Sequence, residues 1–280
     1  MTTTAATATA VVASPDPRTS RLRHIGWSLV RGPKRELWIA WTVMMVFYNV
    51  FATAFFGLTH TQPPQSPAWS PATIDQWFAD NHNGILLGFA LVFLVAGATA
   101  MQNALIAYSI RRMSVSRAFA YSYLVLYALA TFPGMLLMCV AFSVGALRPE
   151  RSPELISWIY DLGYLSYTGT MGVFLIGSLI WMLAIILDKN RVFPKWFGYL
   201  NLCNALTEIV VAPAWIFKSG PFAWNGAIAW WINMFVYGIY AFTSFFLLFR
   251  VIAREDFGDG PLPDAPRRRA GVPTAGAVTA

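Results

Sequence analysis

Long apolar stretches joined by short polar connections make up most of the chain, at roughly 37–59, 84–110, 119–147, 159–187, 196–217 and 225–249. At the α-helical rise each is long enough to approach or exceed the ~30 Å hydrocarbon core of a bilayer. Backbone amides in hydrocarbon must be satisfied within their own segment, so these stretches predict helices. The predicted fold class is all-α, a polytopic transmembrane bundle of six spans within residues 37–254.

The flanks read differently. Residues 1–20 open on MTTTAATATAVVAS, which has no positive residue ahead of its mildly apolar run and so predicts a disordered tail and not a signal peptide. Residues 21–36 are basic and amphipathic: Leu22, Ile25, Leu29 and Val30 share a stripe, with Arg21, Arg23, His24 and Arg31 elsewhere. That pattern suits a helix lying on an anionic leaflet. Residues 255–280 are rich in Pro, Gly and Ala without periodicity and predict a second disordered tail. In the first long connection, 60–83, Ser70-Pro71 reads as a helix cap followed by proline at the first helical position. Ile74, Trp77 and Phe78 then repeat at helical spacing and fit either a short interfacial helix over the outer mouth of the bundle or a solvated loop with one anchored turn.

Composition confirms the class. The chain is 57% hydrophobic and only 12% charged, against about a quarter charged in soluble domains. The net charge of +7 would suit a nucleic-acid partner if the basic residues shared one soluble surface with aromatics. They do not. The N-terminal region (Arg18 to Arg35), the second connection (Arg111, Arg112, Arg117), the fourth (Lys189, Arg191, Lys195) and the C-terminal segment (Arg250 to Arg269) hold 17 of the 20 basic residues. The facing connections hold Arg148, Arg151 and Lys218. Positive-inside asymmetry therefore predicts a bacterial cytoplasmic-membrane protein with both termini cytoplasmic. Nucleic acid is excluded as a partner.

Packing signals are few. Cys139 and Cys203 fall in different spans at different depths, with no Cys or His at ligand spacing, so both are predicted to be small buried hydrophobes and not a disulfide. Ala96, Ala100 and Ala104, four residues apart, predict a close helix–helix contact.

The candidate chemistry centres on Glu208, the only carboxylate deep inside any apolar stretch. An ionisable group in hydrocarbon is costly and marks either a functional site or a buried polar contact. Counting helical rise brings Asn49, Thr131 and Asn233 to a similar depth, with Thr99 and Gln102 slightly nearer the cytoplasm. Asn201, Asn204 and Glu208 share one face at i, i+3, i+7, and Asn233, Tyr237, Tyr240 and Ser244 form a stripe on the last span. Pro133 and Pro213 free the carbonyls of Leu129 and Ile209 close to this layer. One reading is a midplane cavity in which Glu208 takes up and releases a proton or meets a cation. The other is a set of interhelical hydrogen bonds, each worth under about 1 kcal/mol, that hold the bundle together. The structural role suits the Asn and Thr residues. For Glu208 the functional role is preferred, because Gln would serve a structural contact without ionising.

Asp161, beside Tyr160 and Tyr164, and the loop residues His60, Asp75, Asp80 and His82 read as interfacial groups in water and not as a metal site. No His lies inside a span, which excludes bis-His haem, His-box di-iron and Ser–His intramembrane chemistry. H-E-x-x-H, G-x-S-x-G, phosphate-binding glycine loops and C-x-x-C are all missing. An enzyme would have to run on Glu208, Asp161, Tyr and Asn alone, so a non-enzymatic protein without cofactor or metal is expected.

Phe193-Pro194-Lys195-Trp196-Phe197-Gly198-Tyr199-Leu200-Asn201, followed by Gly220-Pro221-Phe222-Ala223-Trp224-Asn225-Gly226, is distinctive. Over about 190–250 the chain resembles a group of uncharacterised six-helix integral-membrane proteins of actinobacteria and proteobacteria. The resemblance implies a fold and assigns no residue a role. The expected function is a multi-pass membrane module that binds a lipophilic small molecule or a membrane partner protein. The alternative is a small proton-linked carrier using Glu208.

Overall fold

The computed structural model describes residues 34–254 and Phe257. The predicted tails 1–20 and 255–280, Phe257 apart, and the amphipathic segment up to residue 33 lie outside the described residues. Within them the chain is all-helical, with six helices and no strand. These are α1 (Arg35–Leu58), α2 (Pro71–Arg111), α3 (Arg117–Leu147), α4 (Pro153–Leu187), α5 (Lys195–Val211, continued by a 3₁₀ turn over Ala212–Trp215) and α6 (Ala227–Ala253). Each packs on its neighbours in chain order and α6 returns to α1, so the bundle closes into a ring.

Five of the six are long and apolar enough to cross a membrane. The sixth, α5, falls short in apolarity, because Asn201, Asn204 and Glu208 interrupt its hydrophobic run. Large apolar side chains cover the outside of the ring, with Leu94, Phe235 and Phe242 at 81%, 70% and 76% exposure. Such a surface fits an apolar surrounding.

Two helices start earlier than hydropathy alone predicts. The Ser70 hydroxyl accepts from the Thr73 amide at 3.2 Å and Pro71 takes the first position, as the sequence indicates. The helix that follows does not stop before residue 84 but runs on as α2. The predicted interfacial helix is thus the first turns of a membrane-length helix, with Ile74 and Phe78 buried beside Phe89 and Phe142. Ser152-Pro153 starts α4 in the same way, six residues before the apolar run begins.

The proline-bearing helices are irregular where expected. α3 passes through a π-helical turn at Phe132–Leu136, and α5 tightens to 3₁₀ at Ala212–Trp215. Two further π-helical turns, Thr53–Leu58 and Ala227–Ile232, and a 3₁₀ turn at Ala96–Ala98, have no proline to announce them.

That 3₁₀ turn overturns one expectation. Ala100 and Ala104 are exposed and Ala96 is half-buried, so the alanine stripe is not a helix–helix seam. Three residues per turn shift the helical phase at Ala96–Ala98, and Leu105 and Ile106 turn inward instead. Close approach occurs at Gly84 and Gly88 of α2, which press on Leu58 and Thr59. A second expectation also fails. Cys139 is buried, but Cys203 is exposed, because Asn201, Asn204 and Ala205 occupy the inward face of α5. Both cysteines are free.

Buried apolar side chains form two cores. One, around Trp38, Trp181, Phe197 and Leu248, lies toward the basic end of the ring, where Lys34 Nζ reaches the Ile252 carbonyl at 3.2 Å. The other, around Phe78, Phe89, Phe142 and Tyr160, lies toward the opposite end. The basic end is locked by Asp188, 2% exposed, whose carboxylate accepts from the amides of Ser114, Asn190 and Val192 at 2.8–2.9 Å. Lys195 Nζ donates to the carbonyls of Ile185, Ile186 and Asp188 at 2.6–2.8 Å. Removing the carboxylate strands these three backbone donors, so Asp188→Ala is expected to lower stability by about 3 kcal/mol, read as a fall in melting temperature in detergent.

Candidate functional site: a cavity around Glu208

Between the two cores lies a partly open cavity of about 570 Å³. Its wall is rich in aromatic residues and includes seven tyrosines, Tyr48, Tyr123, Tyr127, Tyr164, Tyr167, Tyr237 and Tyr240. The irregular turns shape it. Phe55 and Phe56 come from the π-helical turn of α1, Met135 from that of α3, and Ala229 and Trp230 from that of α6. π-helical turns gather at functional sites because the extra residue re-aims side chains locally.

Five of the seven sequence-predicted site residues line the cavity: Glu208, Asn204, Asn233, Asn49 and Gln102. Glu208 is half-buried and hydrogen-bonded to the Asn233 side chain. Asn204, one turn away, donates from Nδ2 to Ser178 Oγ at 3.1 Å, and its Oδ1 is buried without a partner. Gln102 accepts from the Tyr48 hydroxyl, which is also hydrogen-bonded to Tyr237. Asn49 is exposed and returns its Nδ2 to the Met45 carbonyl at 2.8 Å.

The remaining two do not join. Asn201 is fully buried outside the lining, with Nδ2 on the Phe197 carbonyl at 2.8 Å. It sits about 10 Å along the axis from Glu208, nearly two turns toward the basic end, so sharing a helical face does not bring it to the cavity. The Thr131 side chain lies outside the described residues. Thr99, also noted at this depth, does line the cavity and bonds the Ala96 carbonyl at 2.8 Å.

Sequence reasoning missed two parts of the wall. Tyr127 and Tyr167 flank Glu208 from α3 and α4, close enough to feel its charge. Mid-span tyrosines were the available signal, since hydroxyls at that depth need partners. Gln62 gave no signal because it lies in a loop. It is 5% exposed, lines the cavity, and neither amide atom has a partner.

The loop holding Gln62 closes the end of the cavity away from the basic residues. The Tyr164 hydroxyl donates to the Thr61 carbonyl at 3.0 Å and accepts from the Gln65 amide at 3.2 Å. The Tyr160 hydroxyl donates to the Ser66 carbonyl at 3.0 Å, and Trp224 Nε1 to the Gln65 carbonyl at 2.7 Å. Asp161 is half-buried and lies near Lys218, outside the cavity lining. Among the described residues no three His, Cys, Asp or Glu side chains gather as a metal-ligand group.

The ring is tied between α1 and α6 most heavily toward the basic end, and Tyr48 adds a contact higher up, its ring 4.6 Å from that of Phe245. At the basic end Trp41 Nε1 donates to the Phe245 carbonyl at 3.2 Å, and the Trp38 and Trp41 rings meet Phe249 at 5.2 and 5.3 Å. Above that level the lining residues Asn49, Ala52, Phe56 and Phe242 are exposed, so the cavity reaches the side of the bundle between these helices.

No family model, curated protein or solved structure matches the chain.

Proposed function

We propose that this chain is a six-span protein of a bacterial cytoplasmic membrane, with both termini cytoplasmic, that holds a lipophilic ligand in the cavity around Glu208 without catalysing a reaction on it. The topology rests on the basic residues gathered at one end and on α5 being packed between α4 and α6 within the ring. The observation that carries the function is the cavity itself. A space of about 570 Å³ is of the size that takes a small molecule, and its wall is rich in aromatic residues with a few converging polar groups. A scaffold for a membrane partner protein would not require such a space.

The test is to purify the protein in detergent and identify co-purifying lipophiles by mass spectrometry, beside Gly238→Phe. Gly238 lines the cavity, and a Cβ built there meets nothing within 4 Å, so the added ring fills the space without forcing the backbone. The wild type is expected to carry a lipophile and Gly238→Phe to lose at least ~90% of it. Equal content in the two would sink the reading.

One observation supports the second reading, a small proton-linked carrier. Glu208 is not sealed between helices but faces the cavity, and irregular turns in α1, α3 and α6 border the same space. In proteoliposomes a carrier would lose proton-coupled flux in Glu208→Gln, whereas a binding module would show no such flux in either form.

A further inference from the structure

We infer that the ligand is a lipophilic cation, seated with its charge on Glu208 and its apolar groups on the aromatic wall, and admitted from the side between α1 and α6. This rests on the reading of the cavity as a ligand site and goes further by assigning the sign of the ligand's charge.

Two features point the same way. Among the described lining residues Glu208 is the one carboxylate, and no Lys, Arg or His joins it. Whenever Glu208 is ionised, an anion brought there would meet a like charge at low dielectric, whereas a cation completes a pair and favours the ionised form. The wall is also built for positive charge. Tyr127, Tyr167 and Tyr237 lie near Glu208, and aromatic faces attract cations more strongly once both are removed from water.

The route follows from where the ring is least tied. Near the level of Glu208 the lining residues Asn49 and Ala52 of α1 are exposed, and Phe242 of α6 is exposed nearer the basic end, while Tyr164 and Trp224 pin the loop that closes the far end. A lipophile dissolved in the hydrocarbon therefore meets an opening, and one in water meets the loop.

Tetraphenylphosphonium and tetraphenylborate test this directly, because they share size and shape and differ in the sign of charge. Binding of each to the purified full chain is measured by equilibrium dialysis in detergent, with Gly238→Phe subtracting uptake by micelles. The wild type is expected to bind the phosphonium at least ~10-fold more tightly than the borate, and Glu208→Gln to erase the difference. A wild-type measurement stands independently of that variant's folding. The groups facing Glu208 are the Asn233 amide and the phenols of Tyr127, Tyr167 and Tyr237, so protonation of Glu208 is the charge change expected on acidification. Phosphonium binding should fall as pH is lowered, and borate binding should not. Equal binding of the two ions, or a preference that survives Glu208→Gln, overturns the cation assignment and leaves the cavity reading standing. Failure of both ions to bind overturns the cation assignment as well. If the wild type also carries no lipophile, the cavity reading falls with it.

Discussion

Gly84→Ala is expected to remove about 3 kcal/mol of stability or to prevent folding altogether, although it adds a single methyl group. A Cβ at Gly84 would overlap the backbone carbonyl oxygen of Leu58, and the backbone cannot rotate aside as a side chain can. Gly88, one turn on, faces Thr59 and the Ala54 carbonyl, so the two glycines together set how closely α2 approaches the last turns of α1. That approach positions Phe55 and Phe56 in the cavity wall. Gly97→Ala is the control, because a Cβ at Gly97 meets nothing within 4 Å. Melting temperature and monodispersity in detergent should fall sharply for Gly84→Ala and stay close to wild type for Gly97→Ala. A wild-type melting curve for Gly84→Ala would refute the close contact.

The next largest effect is expected at Tyr164. Its ring is fully buried, stacks on Trp224 at 5.3 Å and meets Phe142 edge-on at 5.0 Å, while its hydroxyl holds the loop over the cavity. Tyr164→Ala removes packing and both loop bonds and should cost about 4 kcal/mol. Tyr164→Phe keeps the ring, frees the Thr61 carbonyl and the Gln65 amide, and should cost about 1–2 kcal/mol. Loosening of the loop has its own readout. Gln62→Cys on a Cys203→Ser background should react slowly with a water-soluble maleimide, and adding Tyr164→Phe should speed the reaction at least ~5-fold. An unchanged rate would show that the hydroxyl does not hold the loop.

How much of the site could be read from the residues depended on the kind of constraint each feels. Glu208, Asn204, Asn233, Asn49 and Gln102 stood out because a polar side chain is rare at such a depth, and their levels follow from counting rise along a straight helix. Asn201 misled for the same reason. It shares a face with Glu208, but its place along the axis puts it beside the Phe197 turn and below the cavity. Gln62 could not be found this way, because a loop has no period and its folding over the bundle is decided by Tyr160, Tyr164 and Trp224 from distant parts of the chain. The alanine stripe of α2 failed because one 3₁₀ turn changes the phase of every residue after it.

By itself the sequence determined that this is an all-helical protein with membrane-length apolar helices, where two of its prolines distort them, and which carboxylate lies far inside an apolar stretch. These properties are local: hydropathy, missing amides and residue count act along a single segment. The tertiary structure decided what lies around that carboxylate. Closing α6 back onto α1 set two cores apart, left a cavity between them with Glu208 on its wall, and turned Cys203 and the alanines of α2 outward. Those outcomes depend on the phase and approach of helices distant in sequence, which glycine contacts and π-helical turns set and no single segment encodes.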